Sequence, residues 1–453
     1  MPKSQSDSSA GRIMSIDAYR GFVMLAMASG GFGFSQLIKP ENLQKLSESG
    51  TSWIPLWLLR TLAYQFDHVA WAGCGFWDLI QPSFMFLVGV SLPYSYSRRE
   101  SHGESAVRRV SHMLWRSFVL IALGVFLTSN SSAFTQTNFK FTNVLAQIGL
   151  GYPVLYLFRE RSLRTQLAAA AIILVGYWAW FASYSIPAAE ADAVQSLLAD
   201  RVADAEKNKR PPPIEPQPLV GFGAHWDKHV NAAAGFDRQF LNRFPRQEEP
   251  FRGQRFWIEP GGYQSLNFIP SLATMLFGLM AGTVLRSDRF DADKFRWLMR
   301  AGAVCFLVSM LLDTSIWPIA VPGCDWHLAP IVKRIWSPGW AVFSSGWTFW
   351  MLAAFYWLID IRQWQRWSWP LVIVGMNSIA MYLMAQLLKP WVGSSLKRHL
   401  VTVDALLGWK HGLSDALFGT DCPFSPVLNH AAFVLVLWLI CWWMYRRKIF
   451  LRV

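Results

Sequence analysis

The chain is short of charge. Only 16% of its 453 residues are Asp, Glu, Lys or Arg, whereas 53% are hydrophobic. Its length would accommodate two or three soluble domains. The apolar residues, however, fall in runs long enough to cross a bilayer, which takes about 20 residues at a rise of about 1.5 Å each. Acids are scarcer than bases, 29 against 42, giving a net charge of +13. Such a balance can signal nucleic acid, but here the bases gather at the ends of apolar runs, as membrane topology requires, and a nucleic-acid partner is set aside. Cysteine is sparse, at five residues. No CxxC or HExxH spacing occurs, so no metal is expected. Cys305 and Cys441 lie within apolar runs and read as packing residues. Cys74, Cys324 and Cys422 fall on outer loops where a disulfide can persist, and a Cys324–Cys422 pair is an option that spacing does not decide. No cleavable leader is evident. Residues 1–11 are polar and read as a disordered tail, and the apolar run from Phe22 lacks a small-residue cleavage site, so it is expected to be retained.

What is abundant is tryptophan, at 25 residues, a side chain that favours the membrane–water interface. The apolar runs predict an all-α polytopic membrane protein of about ten spans. They cover 20–38, 78–97, 112–129, 142–158, 165–186, 264–285, 297–317, 339–360, 369–389 and 430–446. Arg98, Arg99, Arg108, Arg109, Arg159, Arg161, Arg164, Arg286, Arg289 and the tail Arg446-Arg447-Lys448 then fall on one side, which by the positive-inside rule places both termini in the cytoplasm. One segment, 187–262, is far longer than a connection needs. Its "KNKRPPPIEPQP" stretch cannot be helical through the prolines and is expected to be extended. The aromatic, charged part that follows suits either a lid over the outer mouth or a solvated loop. Residues 12–453 thus read as one transmembrane domain carrying an extracytoplasmic insertion.

Polar side chains in a span must face the bundle interior or a wet cavity. Asn143 and Gln147 share a helix face; so do Ser378, Tyr382 and Gln386, with Asn377 beside them. Asp78 and Gln81 share another just before Pro82. Interhelical hydrogen bonds explain any one of these; several together favour a polar cavity. His68 sits between Asp67 and Asp78 among Trp71, Phe76 and Trp77. A neutral imidazole can take a proton or attack an activated acyl carbon, and a nearby carboxylate can set its tautomer. Asp78 serves equally well as a first-turn acid of its helix. Asp17 and Arg20, three apart, form either a structural pair or, with Arg116, an anion site.

Eight stretches occur in the order found in a known family: "RIMSIDAYRG", "HVAWAGCGFWDLIQPSFMFLVGVS", "WRSFVLIALGV", "NVLAQIGLGY", "EPGGYQSLNFIPSLATMLFGLMAG", "VKRIWSPGW", "VGMNSIAMYL" and "YRRKIF". In these the chain resembles the transmembrane acetyltransferases typified by lysosomal heparan-α-glucosaminide N-acetyltransferase and its bacterial relatives. The resemblance implies transfer of acetyl from cytosolic acetyl-CoA to an amino sugar or glycan across the membrane, N- or O-linked, in a bacterial inner membrane and as a homodimer. It assigns His68 and Asp78 to catalysis. Asp17, Arg20, Arg116 and Gln147 are assigned to acetyl-CoA, and Lys333, Trp336 and Asn377 to the acceptor. Two departures bear on the acceptor more than the donor: "ASGGFG" replaces an asparagine-bearing stretch, and Ala385–Gln386 replaces a histidine–glutamate pair. The alternatives are a transporter or flippase for a glycan or lipid-linked sugar, which needs no acetyl-CoA, and a membrane scaffold, which needs no polar interior.

Overall fold

A computed structural model describes residues 13–49, 53–130, 135–213, 215–314, 327–410 and 412–451. The expected tail at 1–11 lies outside these, as does Cys324 and with it the Cys324–Cys422 option. The protein is an all-α polytopic membrane protein; among the described residues the only β pairing is in isolated bridges.

Among the described residues, six helices are long and apolar enough to cross a membrane: Ala106–Ser129, Leu163–Ser183, Ser265–Arg286, Asp291–Leu312, Pro338–Ile361 and Ser425–Arg446. Each matches a run read from the sequence. The run at 369–389 is a pair, Arg366–Met376 and Ser378–Leu387, bent by 70° at Asn377. The other three runs fall on helices that are shorter or more polar. Met14–Ala28 stops where Gly30, Gly31 and Gly33 take positive φ. Ile80–Ser101 ends in a charged turn with Arg99 and Glu100, and Val144–Leu157 has only 14 residues. Several helices begin where a side chain satisfies an otherwise orphaned N–H: Ser105 accepts from Arg108, Asn143 from Leu145, Ser162 from Thr165, and Ser337 from Trp340 with Pro338 in the first turn.

The Ser265–Arg286 helix is the axis of the bundle, with 83% of its apolar stretch buried, against 22–28% for Ala106–Ser129, Leu163–Ser183, Asp291–Leu312 and Ser425–Arg446. Those four turn Trp115, Phe118, Ile172, Leu311 and Leu435 outward, the surface a hydrocarbon solvent accepts. Against the axis lies Ile80–Ser101. Their contact is made by backbone: a Cβ on Gly278 would overlap the Phe86 carbonyl oxygen, and one on Gly282 that of Val90. The "GLMAG" spacing is the small-xxx-small pattern that lets helices approach closely.

Within residues 187–262 the helices Ala188–Lys207 and Ala232–Leu241 are separated by a proline-bearing stretch that includes the short helix Gly221–Trp226. Their anchor is Trp226, fully buried with Phe181, Tyr177 and Trp71. Trp71 Nε1 donates to the Trp226 carbonyl at 3.0 Å, so this segment packs directly on the loop that carries His68.

Candidate functional site

The loop from Asp67 to Asp78 is wound around one carboxylate. Asp78 opens the helix leading into Ile80–Ser101 and is 1% exposed. Its Oδ2 accepts the backbone N–H groups of Gly75 (3.1 Å) and Val69 (3.3 Å). Its Oδ1 lies 2.8 Å from His68 Nδ1 and accepts from Lys333 Nζ at 3.1 Å. Lys333 Nζ is in turn 3.0 Å from His68 Nδ1, and Lys333 is 4% exposed. An imidazole, a carboxylate and an ammonium thus meet in one triangle, on residues far apart in the chain. The Nδ1 edge of His68 is engaged; Nε2 has no partner among the described residues, and 39% of the side chain is exposed.

The second loop of the triangle is held as firmly as the first. Val332 pairs with Ala72 in an antiparallel bridge, and Gly73 N–H donates to the Ile331 carbonyl at 3.0 Å. Ser337 Oγ accepts the Val332 N–H, Tyr177 donates to the Ile335 carbonyl, and Asn267 donates to the Arg334 carbonyl at 2.7 Å. Arg334 donates to Gly261 O at 2.7 Å and Val69 O at 3.2 Å, clamping the 187–262 segment's end to the His68 loop. Arg334 lies inside the "VKRIWSPGW" stretch, where nothing in the sequence alone gives it a part. Burial holds the Cys74 thiol, beside Asp78, well above its ordinary range, so it is inert at neutral pH.

The remaining predicted residues divide. Asp17 and Arg20 pair at 3.3 Å, and Arg20 also donates to Ser91 Oγ. Ser91 is 13 residues beyond Asp78, about 20 Å along a helix. Arg116 donates to Tyr152 OH at 3.0 Å and lies 4.7 Å from that ring's centre. Gln147, five residues before Tyr152, is fully buried, and neither its amide oxygen nor its nitrogen has a partner among the described residues; nor does Arg116 Nε. Asn143, expected beside Gln147 on a polar stripe, is a helix cap that also accepts from Tyr382 OH at 3.2 Å. Trp336, 1% exposed and at φ +49°, donates to Thr274 Oγ1 at 3.3 Å. Asn377 spends its amide on the Ile449 carbonyl (3.1 Å) and the Leu451 N–H (3.1 Å). The structure therefore joins Lys333 to His68 and Asp78, and gives Trp336 and Asn377 packing partners.

Residues 55–194 match the family model described as the catalytic region of heparan-α-glucosaminide N-acetyltransferase. That stretch contains His68, Asp78, Arg116 and Gln147. The chain is similar to proteins named heparan-α-glucosaminide N-acetyltransferase. It is 24% identical over 393 residues to the mouse (Mus musculus) protein of that name, which covers 83% of this chain and 53% of the mouse protein. To the human (Homo sapiens) protein it is 23% identical over 389 residues, covering 82% and 52%. The chain spans about half the length of these relatives.

Proposed function

We propose that the protein is a transmembrane acetyltransferase that moves acetyl from cytosolic acetyl-CoA to an amino sugar or glycan on the far side of the membrane, with both termini cytoplasmic. The observation that carries this is the His68–Asp78–Lys333 triangle, with the His68 side chain 39% exposed and its Nε2 without a partner among the described residues. The match over 55–194 and the names of the two relatives support it.

The donor's charge suits Arg20 and Arg116, since guanidinium groups match phosphate geometry. The orphaned amide of Gln147 supports the same assignment, because a buried amide left without partners in the protein costs about 1–3 kcal/mol unless something else satisfies it. Acetyl-CoA supplies the activated acyl group; a pantetheine arm has amides to offer Gln147. At the other end, Asp78 can fix the imidazole with its proton on Nδ1, leaving the Nε2 lone pair to act. His68 then either takes the proton of the attacking amine or hydroxyl, or carries acetyl itself. The 187–262 segment would close the acceptor side.

The test is a mass-spectrometric assay of the purified protein with acetyl-CoA and a panel of amino sugars, beside His68→Ala. Acetylated product from the wild type, and a loss of at least about a hundredfold in the variant, are expected. Normal transfer by His68→Ala would refute the reading. Labelled acetyl on the His68 peptide without acceptor selects the carrier route.

A further inference from the structure

The family resemblance assigns Lys333 to the acceptor; in the structure its ammonium donates to Asp78 Oδ1 and lies 3.0 Å from His68 Nδ1. We propose that Lys333 is a positioning residue for the acetyl-transfer reaction: it supplies the counter-charge to Asp78, so that His68 stays neutral and its Nε2 lone pair stays available. The proposal rests on the acetyltransferase reading.

The argument is charge balance in a site with little water. Asp78 is 1% exposed and needs a positive partner. Two candidates touch the same oxygen, the His68 ring at 2.8 Å and the Lys333 ammonium at 3.1 Å. With Lys333 present, carboxylate and ammonium cancel and the imidazole can remain neutral. With Lys333 removed, the imidazole is the only cation left to neutralise Asp78, and protonating it gives an ion pair that is neither base nor nucleophile. Lys333 also sits 3.0 Å from Nδ1, where a second positive charge on the ring is directly opposed. The other groups facing the cluster do not replace it. Asp67 is acidic and accepts the His68 backbone N–H at 2.7 Å. Cys74 and Tyr64 are weak acids beside Asp78, and burial raises both further. Arg334 points its guanidinium at the Val69 and Gly261 carbonyls. Nor is Lys333 free to swing outward, since its loop is fixed by the Ala72 bridge, Ser337 and Asn267.

The experiment uses the full chain in detergent or nanodiscs and reads the imidazole without relying on turnover. Diethyl pyrocarbonate acylates neutral histidine, so the rate at which the His68 peptide is modified, followed by mass spectrometry against pH, reports its neutral fraction. In Lys333→Met the midpoint should move up by at least about one pH unit, making modification on the acid side about tenfold slower than in the wild type. Lys333→Arg should keep the wild-type midpoint. The acid limb of kcat/KM should move up with the same variant, while the acceptor KM changes less than about twofold. Lys333→Gln is the second neutral variant if Lys333→Met does not fold. An unmoved midpoint in the neutral variant overturns the proposal. So does a tenfold rise in acceptor KM at an unmoved midpoint, which would return Lys333 to acceptor binding. A wild type that transfers no acetyl, while the modification midpoint still shifts in the variant, would refute the acetyltransferase reading and leave the charge balance standing.

Discussion

Asp78 does two things at once: it folds the 67–78 loop, and it pairs with the Lys333 ammonium and the His68 ring. Its substitution should therefore separate a structural cost from an electrostatic one. Asp78→Asn keeps acceptor capacity for the Gly75 and Val69 N–H groups but leaves the Lys333 ammonium buried and unpaired. Breaking a buried pair from one side costs about 3–5 kcal/mol. Lys333→Met relieves that cost, so the double variant should be more stable than Asp78→Asn alone, with a coupling of roughly 1–3 kcal/mol in a double-mutant cycle. Thermal melting in detergent checks this; additive losses would mean that the contact carries no energy. His68 and Asp78 stand ten residues apart in one loop, close enough to suggest a pair but not to show the contact the structure makes. Lys333, 255 residues on from Asp78, entered as an acceptor candidate rather than as their partner, because no spacing rule joins two loops at that distance.

A different residue is expected to make the 187–262 segment respond to pH. Asp237, in helix Ala232–Leu241, is buried, and that burial pushes its carboxyl up to about 7 against the pull of the Ser265 N–H. A carboxyl raised on folding contributes stability that is present below its unfolded value near 4 and lost as pH rises through 7. Asp237→Asn should thus match the wild type in melting temperature near pH 4 and exceed it by an amount that grows to a plateau above about pH 7, worth up to about 4 kcal/mol by linkage. A gap independent of pH would show that the carboxyl does not titrate there. Burial next to Lys228 holds His229 down at about 4, which has the opposite sign: stability is lost as pH falls from about 6.5 toward that value. Neither residue announces this in the sequence, since both stand in a stretch whose burial only the packing of Trp226 decides.

At the scale of elements, apolar runs located the bundle well and its ends poorly. Six runs became helices that can span, because length and hydropathy suffice to specify them. The run that became two helices bent by 70° carries Asn377 at the break, where its amide ties down the backbone after Arg446. Hydropathy cannot register a bend whose polar groups are satisfied by a distant segment. The helix Ala188–Lys207 was not anticipated either; it is too polar for a membrane and lies before a proline run that argued for extension. What the sequence did carry was the close crossing of Ile80–Ser101 with the axial helix, written as "GLMAG". Gly278→Leu should force the Phe86 backbone away and cost stability as overpacking does, about 1–3 kcal/mol or more. Gly176→Ala is its control: it sits in a helix with nothing within 4 Å of the added Cβ, and it should be neutral or gain up to about 1 kcal/mol. Equal melting temperatures for the two variants would mean that the crossing tolerates a side chain.

For the whole molecule, the arrangement of charge along the bundle axis makes the proposed reaction directional. Lys333, His68 and Asp78 lie beneath the 187–262 segment, whose Trp226 and Gly261 touch their loops. Arg20 reaches Ser91, far along the helix that Asp78 opens, and Arg116 reaches Tyr152, nine residues beyond the Asn143 cap of its helix. The family resemblance assigns the two groups to the donor and to catalysis, and the helix that connects Asp78 to Ser91 gives their separation a length of about 20 Å. A donor that enters at the guanidinium end and an acceptor that enters at the imidazole end never share a compartment. In vesicles of defined orientation, acetyl-CoA supplied to the side bearing Arg20 and Arg116 should acetylate an amino sugar present only on the opposite side, and supplied to the other side it should not. Arg116→Ala should raise the KM for acetyl-CoA by about tenfold or more, as the loss of a charge-assisted contact predicts, while leaving the acceptor KM within about twofold. If both substrates must be on the same face, or if Arg116→Ala alters only the acceptor KM, then the two ends do not divide donor from acceptor and the site must be entered from one side.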